Sequence, residues 1–228
     1  MHLKKITSNV WHTEHHFSTG GIPVATRMTV VRLKNGGLWL HSPIPIHGEL
    51  EQELLQLGHV QFVVAPNKGH RLFFADCAAR FPQAQVLMAP GTSSKPAQNS
   101  DWLELNEHTP APWRPELEMH VFQGIPDLNE SVWLHLPSKT LVLTDLCQCW
   151  RGSMPLRAKL FAWATGVKEQ FAVPRTVQFM LKDRRAAQAS VQHILQWDFT
   201  RVIFAHNSIL ETDAHAAVTR ALTALVRD

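Results

Sequence analysis

The chain has 228 residues, of which 45% are hydrophobic and 18% charged. That balance belongs to a globular protein with a sizeable core and excludes a disordered or fibrous chain. Its formal charge of +3 comes from 22 basic and 19 acidic residues spread along the chain, with no run of like charge to mark a nucleic-acid tail or a lipid-binding patch.

Lys4 and Lys5 near the start are not followed by an apolar signal-peptide core, and no segment has the length of a membrane span. Strand-like runs rich in β-branched residues follow at Met28–Leu33, Leu38–His41, Gln61–Ala65, Gln85–Met88, Met119–Gln123, Val132–Leu136, Thr140–Thr144 and Arg201–Ala205. Helical spacing appears at Gly48–Leu57, Leu72–Phe81, Leu156–Ala164, Arg184–Trp197 and Glu211–Val226. The stretch Pro90–Pro115 reads as a surface loop with room for a short strand. Gly20-Gly21 and Gly36-Gly37 read as turns, since no phosphate-loop helix follows either. Two halves that each mix strands with covering helices predict a single α/β domain over residues 1–228, two sheets face to face with helices outside.

Fourteen histidines, eight tryptophans and no tyrosine make an unusual mixture. Histidine is the residue type best suited to hold a metal or move a proton near neutral pH. Three strand ends run directly into polar side chains that bind metals: Gln61–Ala65 into Pro66-Asn67-Lys68-Gly69-His70-Arg71, Thr140–Thr144 into Asp145, and Arg201–Ala205 into His206-Asn207. Strands anchor such loops and aim their side chains into a cleft. Two imidazoles and one carboxylate form a competent set for one divalent ion, zinc, iron or manganese, with a coordination position left for water.

Other candidates have plainer readings. His12, His15 and His16 read as surface histidines on an extended edge, His41 as a residue that either lines the same cleft or, with a slight preference, sits in the core, and His135 as solvent-facing on an alternating strand. Trp102, Trp113, Trp150, Trp163 and Trp197 read as core. Cys147 and Cys149 are too close for a mutual disulfide, so reduced thiols in the cytoplasm are expected; a thiolate beside the site would give a redox protein. Asp183 reads as an N-cap.

The segments Met28–Leu33, Leu38–Ile44, Val64–Lys68, Thr140–Leu146 and Asp183–Ala187 together resemble a domain-of-unknown-function family of bacterial and plant proteins, DUF4336-like, a divergent branch of the metallo-β-lactamase superfamily. The resemblance spans about Thr26 to the C-terminus and implies an αββα sandwich, two mixed β-sheets with helices on the outer faces and a site at one edge between the sheets. The superfamily's first metal motif, Thr-His-x-His-x-Asp-His, falls on Ala65–Arg71, where Pro66, Lys68, His70 and Arg71 stand at the ligand positions. A later ligand falls near Asp127 when the strand from Ser131 is kept in register. The strand ending in Gly-Asp resembles Leu143-Thr144-Asp145, and the final Gly-His turn resembles Ala205-His206-Asn207. The resemblance therefore implies a depleted site of His70, Asp145 and His206, with Asp127 or Asn67 as a fourth ligand and too many cations for two metals.

Besides the thiol-redox reading of Cys147 and Cys149, two function classes are carried forward. One is a mononuclear hydrolase of small esters, lactones, thioesters or phosphoesters. In it Asp145 would ligate the metal or orient water, and Lys68 or Arg71 would stabilise an oxyanion. The other is a non-catalytic module without metal, in which Lys68 pairs with Asp145 and the old cleft holds an anionic small molecule or a partner loop. Neither involves nucleic acid or a membrane.

Overall fold

In a computed structural model, residues 1–92, 102–206 and 208–227 are described. The first half builds a seven-stranded sheet in sequence order: β1 (Lys4–Thr7), β2 (Val10–Thr19), β3 (Ile22–Arg32), β4 (Leu38–His41), β5 (Val60–Ala65), β6 (Gln85–Met88) and β7 (Trp102–Glu104). β1 through β4 pair antiparallel and β4 through β7 parallel. The parallel crossovers carry α1 (Glu49–Leu57) and α2 (Phe74–Arg80), as parallel neighbours require. The second half builds a five-stranded sheet from β8 (Leu117–Val121), β9 (Ser131–His135), β10 (Thr140–Val142), β11 (Arg201–Ile203) and β12 (Ile209–Leu210), ordered β12-β11-β10-β9-β8. Its helices are α3 (Leu156–Thr165), α4 (Arg175–Phe179), α5 (Arg184–Leu195) and α6 (Ala214–Val226). In β10 and β11 the strands are parallel; the other pairs of this sheet are antiparallel.

Strand alternation sorts the core into three layers. Trp39, Phe62, Val64 and Leu87 of the first sheet meet Leu117, Trp133, Val142 and Ile203 of the second, forming the layer between the sheets. The intervening residues Leu38, Leu40, Val63 and Ala65 face the other way, onto Leu50 and Leu54 of α1 and Phe74 and Cys77 of α2. Likewise Val132, Leu134, Leu141 and Val202 pack under α5 and α6, against Val191, Ile194, Val218 and Leu222. Because both faces are covered, these strands read as near-continuous apolar runs. The αββα order expected from the sequence is the one observed.

All eight expected strands and five expected helices are present, β4 and β6 with the expected ends and the others with shifted ones. Three further strands (β1, β2, β12) and α4 escaped the sequence reading, and β7 is the short strand allowed for within the 90–115 stretch. β7 lies within the expected 90–115 loop, of which residues 93–101 fall outside the described residues. His135 corrects an expectation: β9 is an inner strand covered on both sides, so this side chain is buried, with Nδ1 2.6 Å from Ser138 Oγ. Burial pushes its imidazole down to about 4. Trp163 and Trp102 are exposed, whereas Trp113 and Trp150 are core. Asp183 caps α5 by accepting from Ala186 N.

A buried arginine ties the two sheets together. Arg27 of β3 donates through Nη1 to the carbonyls of Phe204 (2.5 Å) and Ser208 (2.9 Å), pairs through Nη2 with Glu14 of β2, and donates through Nε to His12 Nδ1. Burial first, then the Arg27 charge, pushes His12 down to about 4, so this imidazole is a neutral acceptor. Replacing Arg27 with Met should strip two carbonyls and a carboxylate of their donor. The expected cost is about 3–5 kcal/mol of unfolding free energy, read by denaturant titration.

Candidate metal centre

The parallel strands β4, β5, β10 and β11 end at the same edge, and the loops leaving them converge there. This is the edge at which open α/β sheets place their ligands. His41-Ser42 follows β4, Asn67 to His70 follow β5, Thr144-Asp145 follow β10, and His206 follows β11.

His70, Asp145 and His206 each offer a ligand atom, and these atoms lie within 4.8 Å of one another. Asp145 stands between the rings: Oδ2 is 3.2 Å from His70 Nε2, and Oδ1 is 2.9 Å from His206 Nε2. The far nitrogens are fixed as well. His206 Nδ1 lies 2.7 Å from the Ala25 carbonyl, which only accepts, so Nδ1 carries a proton and Nε2 is the nitrogen presented to the site. His70 Nδ1 is 2.7 Å from Ser42 Oγ, and Ser42 holds a left-handed backbone (φ 57°) while buried.

Under the triad lies a polar layer that sequence reasoning missed. Glu130, fully buried just before β9, accepts from the backbone N–H groups of Thr144 (2.7 Å), Asp145 (2.7 Å) and Leu146 (3.0 Å). Asn67 Nδ2 faces Glu130, Thr144 Oγ1 and Asp145 Oδ2 at 2.8–3.0 Å, while its Oδ1 accepts from Gly69 N and His70 N. Asn67 thus ties the β5 loop to the β10 loop. A Cβ at Gly69 would stand 3.3 Å from Asn67 Oδ1 and 3.4 Å from Asp145 Oδ2, a close contact that glycine avoids. Gln148 Nε2 donates to Asp145 Oδ1 (3.1 Å), and Trp150 Nε1 in turn donates to Gln148 Oε1 (2.9 Å).

The charges follow from these contacts. Burial would raise the Asp145 carboxyl, but the His70 charge and hydrogen bonds from His206 and His70 hold it well below the usual carboxylate range. Burial pulls His70 down, yet Asp145, by charge and hydrogen bond, and then Glu130 outweigh it, and the imidazole ends above its ordinary 6.5. Burial and the Asp145 charge push Glu130 up against the pull of its donors. His41 is buried and stacked on Trp39 at 4.9 Å; burial and the nearby His70 hold it neutral, so it is core as expected.

Several expectations are corrected. Lys68 does not pair with Asp145: its Nζ donates to the Pro126 carbonyl (2.8 Å) and packs beside Gly91. Asp145 has no need of it, being satisfied by two imidazoles and two amides. Asp127 is exposed in a turn and is not in the cluster; the acid turned toward the site is Glu130, three residues on. Asn67, with both amide ends engaged, is structural rather than a ligand. Arg71 is exposed on the lip of the cavity. Cys147 and Cys149 are buried, and burial raises both thiols, which disfavours the thiolate a redox role requires. Asn207 lies outside the described residues.

The triad forms the floor of a cavity of about 410 Å³ with walls that include Phe17, Val24, Phe73, Trp150 and Phe161. The donor set fits one divalent ion. The three ligand atoms lie within 4.8 Å of one another, against roughly 3.3 Å between ligands of tetrahedral zinc with 2.0–2.1 Å bonds, so side-chain movement would be needed to close them on one ion; the 2.9 and 3.2 Å separations run to different oxygens of Asp145.

Fold and site together define a divergent protein of the metallo-β-lactamase fold. Solved structures agree along nearly the whole chain. A metallo-β-lactamase from Pontibacter korlensis matches with a TM-score of 0.63 at 17% identity, over 97% of this chain and 98% of that one. The metallo-β-lactamase FIM-1 from Pseudomonas aeruginosa, in a mono-zinc form, gives 0.64 at 13% identity over 99% and 96%. A putative diflavin flavoprotein from Nostoc gives 0.65 at 12% over 99% and 94%. The chain belongs to the family described as "Domain of unknown function (DUF4336)", whose model matches residues 7–160. No curated protein sequence matches it.

Proposed function

We propose that this protein is a mononuclear metal-dependent hydrolase of small esters, lactones, thioesters or phosphoesters, with His70, Asp145 and His206 as the ligands. The observation that carries this reading is the closure of three ligand atoms within 4.8 Å on the floor of a cavity large enough for a small molecule. A bound zinc, iron or manganese ion would supply a Lewis acid that polarises the scissile bond and acidifies water. The chain supplies the rest. Ala25 and Ser42 fix the two imidazoles, Asn67 and Glu130 hold the Asp145 loop, and Gln148 orients the Asp145 carboxylate. The aromatic wall excludes water around an apolar group, and Arg71 at the lip suits an anionic end of the substrate. The buried free thiols suit a reducing compartment such as the cytoplasm.

The alternative, a metal-free anion-binding module, is supported less well, because Lys68 turns away from the cleft. The test is elemental analysis of protein purified without chelator, paired with hydrolysis of aryl ester and thioester probes. One ion per chain and chelator-sensitive turnover are expected. Metal-free protein with no affinity for added zinc, iron or manganese would overturn the proposal.

The raised His70 predicts a pH signature. Its protonated form adds stability that is fully present below the unfolded value near 6.5 and is lost as pH rises through the higher folded value. Metal needs the neutral ring, so protons compete with it over that same window. The thermal stabilisation given by added zinc should therefore grow as pH rises through His70's titration, as melting curves with and without metal would show.

A further inference from the structure

Helix α3 is built inside out. Its buried positions are the small residues Ala158, Ala162 and Thr165, with Ala158 and Ala162 packed on Val24, Trp150 and Val167. Its outward positions 156, 160 and 163 share one face at helical spacing, and they carry Leu156 (71% exposed), Leu160 (55%) and Trp163 (71%). The short helix α4, tied to the end of α3 by Arg175 Nη1 donating to the Ala164 carbonyl, adds Phe179, 85% exposed. Four large apolar side chains thus stand in solvent within one segment, more than scattered surface residues account for.

The charges around them are predominantly positive. Arg151, Arg157, Lys159, Lys168 and Arg175 are all exposed, and Glu169 is the single acid between residues 151 and 175. On the helical wheel Lys159 and Arg157 flank the Leu156–Leu160–Trp163 ridge on opposite sides. A second copy of the chain is a poor occupant, because a two-fold contact through this ridge would set Lys159 and Arg157 against their own copies. A convex row of Leu and Trp bordered by Lys and Arg is what a surface-lying membrane helix presents, with tryptophan at the headgroup level and the bases on anionic lipid.

We infer that α3 docks the protein on an anionic phospholipid surface, lying flat with Leu156, Leu160 and Trp163 inserted and Lys159 and Arg157 on the headgroups. No helix among the described residues is long and apolar enough to cross a membrane, so the association is peripheral. It departs from the sequence expectation of no membrane partner, which looked for charge runs; here the fold gathers dispersed cations around a ridge. The inference does not depend on the metal reading. One link to the cavity exists: Phe161, on the same helix but turned away from the ridge, forms part of its wall.

Vesicle flotation of the full-length protein tests this. It should float with phosphatidylcholine vesicles containing roughly a third phosphatidylserine and not with phosphatidylcholine alone, and added salt should weaken binding. The double variant Leu160→Ser, Trp163→Ser should bind about tenfold more weakly or worse with an unchanged melting temperature, since both side chains are largely exposed. Lys159→Glu with Lys168→Glu should also lose binding without altering the apolar ridge. No flotation with the anionic vesicles, or flotation indifferent to both variants, would overturn the inference. So would a concentration-dependent dimer in sedimentation that Trp163→Ser abolishes, or preferential capture of acidic amphipathic peptides over vesicles.

Discussion

His206→Ala is expected to abolish metal binding while leaving the fold intact. In the native protein, zinc at about a hundred times its dissociation constant adds about 2.7 kcal/mol, or roughly 5–10 °C in melting temperature for a chain of this size. In the variant that increment should vanish. Loss of outer-shell partners alone lowers metal affinity by roughly 10–100-fold, so loss of one of three ligands should exceed a hundredfold by isothermal titration, with hydrolysis falling in step. The apo protein should keep its fold with only a modest loss of stability: the ring is 13% exposed and its removal leaves the Ala25 carbonyl without that donor, but Asp145 retains His70, Asn67 and Gln148 as donors. Lys68→Ala separates the two functional readings. Its ammonium contacts the Pro126 carbonyl outside the triad, so zinc affinity should be unchanged. A fall in affinity for small anions instead, with no metal effect in His206→Ala, would favour the anion-binding module.

The three residues of the candidate site were legible because each lies in or at the start of a loop that leaves a buried apolar run, where an imidazole or carboxylate can be placed. The same pattern made β4 and β6 legible to the residue, since Leu38–His41 and Gln85–Met88 are bounded on both sides by turn-forming residues. β2 was illegible for the opposite reason. Its Val10–Thr19 segment is half-exposed and mixes three histidines with a glutamate, so no alternation stands out, and only the ten-residue register with β3 makes it a strand. The polar layer beneath the site was hidden more deeply. Asn67, Glu130, Ser42 and Arg27 act on backbone groups and side chains far away in sequence, and nothing in a linear reading says which distant donor a buried carboxylate will meet. Projecting a superfamily ligand onto Asp127 reached the right loop but the wrong acid. Glu130, directly before the apolar run 132–134, was the better reading, because an acid at the mouth of a buried strand must be satisfied internally.

Glu130 carries the second large expected effect. Its two carboxylate oxygens take three consecutive backbone N–H groups, from Thr144, Asp145 and Leu146, together with Asn67 Nδ2. These donors, with the Thr144 hydroxyl beside them, surround a group with no solvent contact. Glu130→Gln keeps the shape but turns one acceptor oxygen into an amide that faces backbone N–H, so a donor on each side is orphaned. An unsatisfied buried polar group costs about 1–3 kcal/mol, and the variant should lose about 2–4 kcal/mol, a drop of roughly 5–15 °C in melting temperature. Removing the charge also withdraws one of the influences that raise His70, so the proton competition with metal should shift to lower pH. The Asp145 loop would nevertheless lose its anchor, and zinc affinity at neutral pH should fall by roughly 10–100-fold. Asp127→Asn, three residues away and exposed, is the control: it should leave both stability and zinc affinity where they were. The paired loss in Glu130→Gln alone would place the functional acid of this loop in the buried layer under the triad, where it acts by holding Asp145 and not by touching the metal.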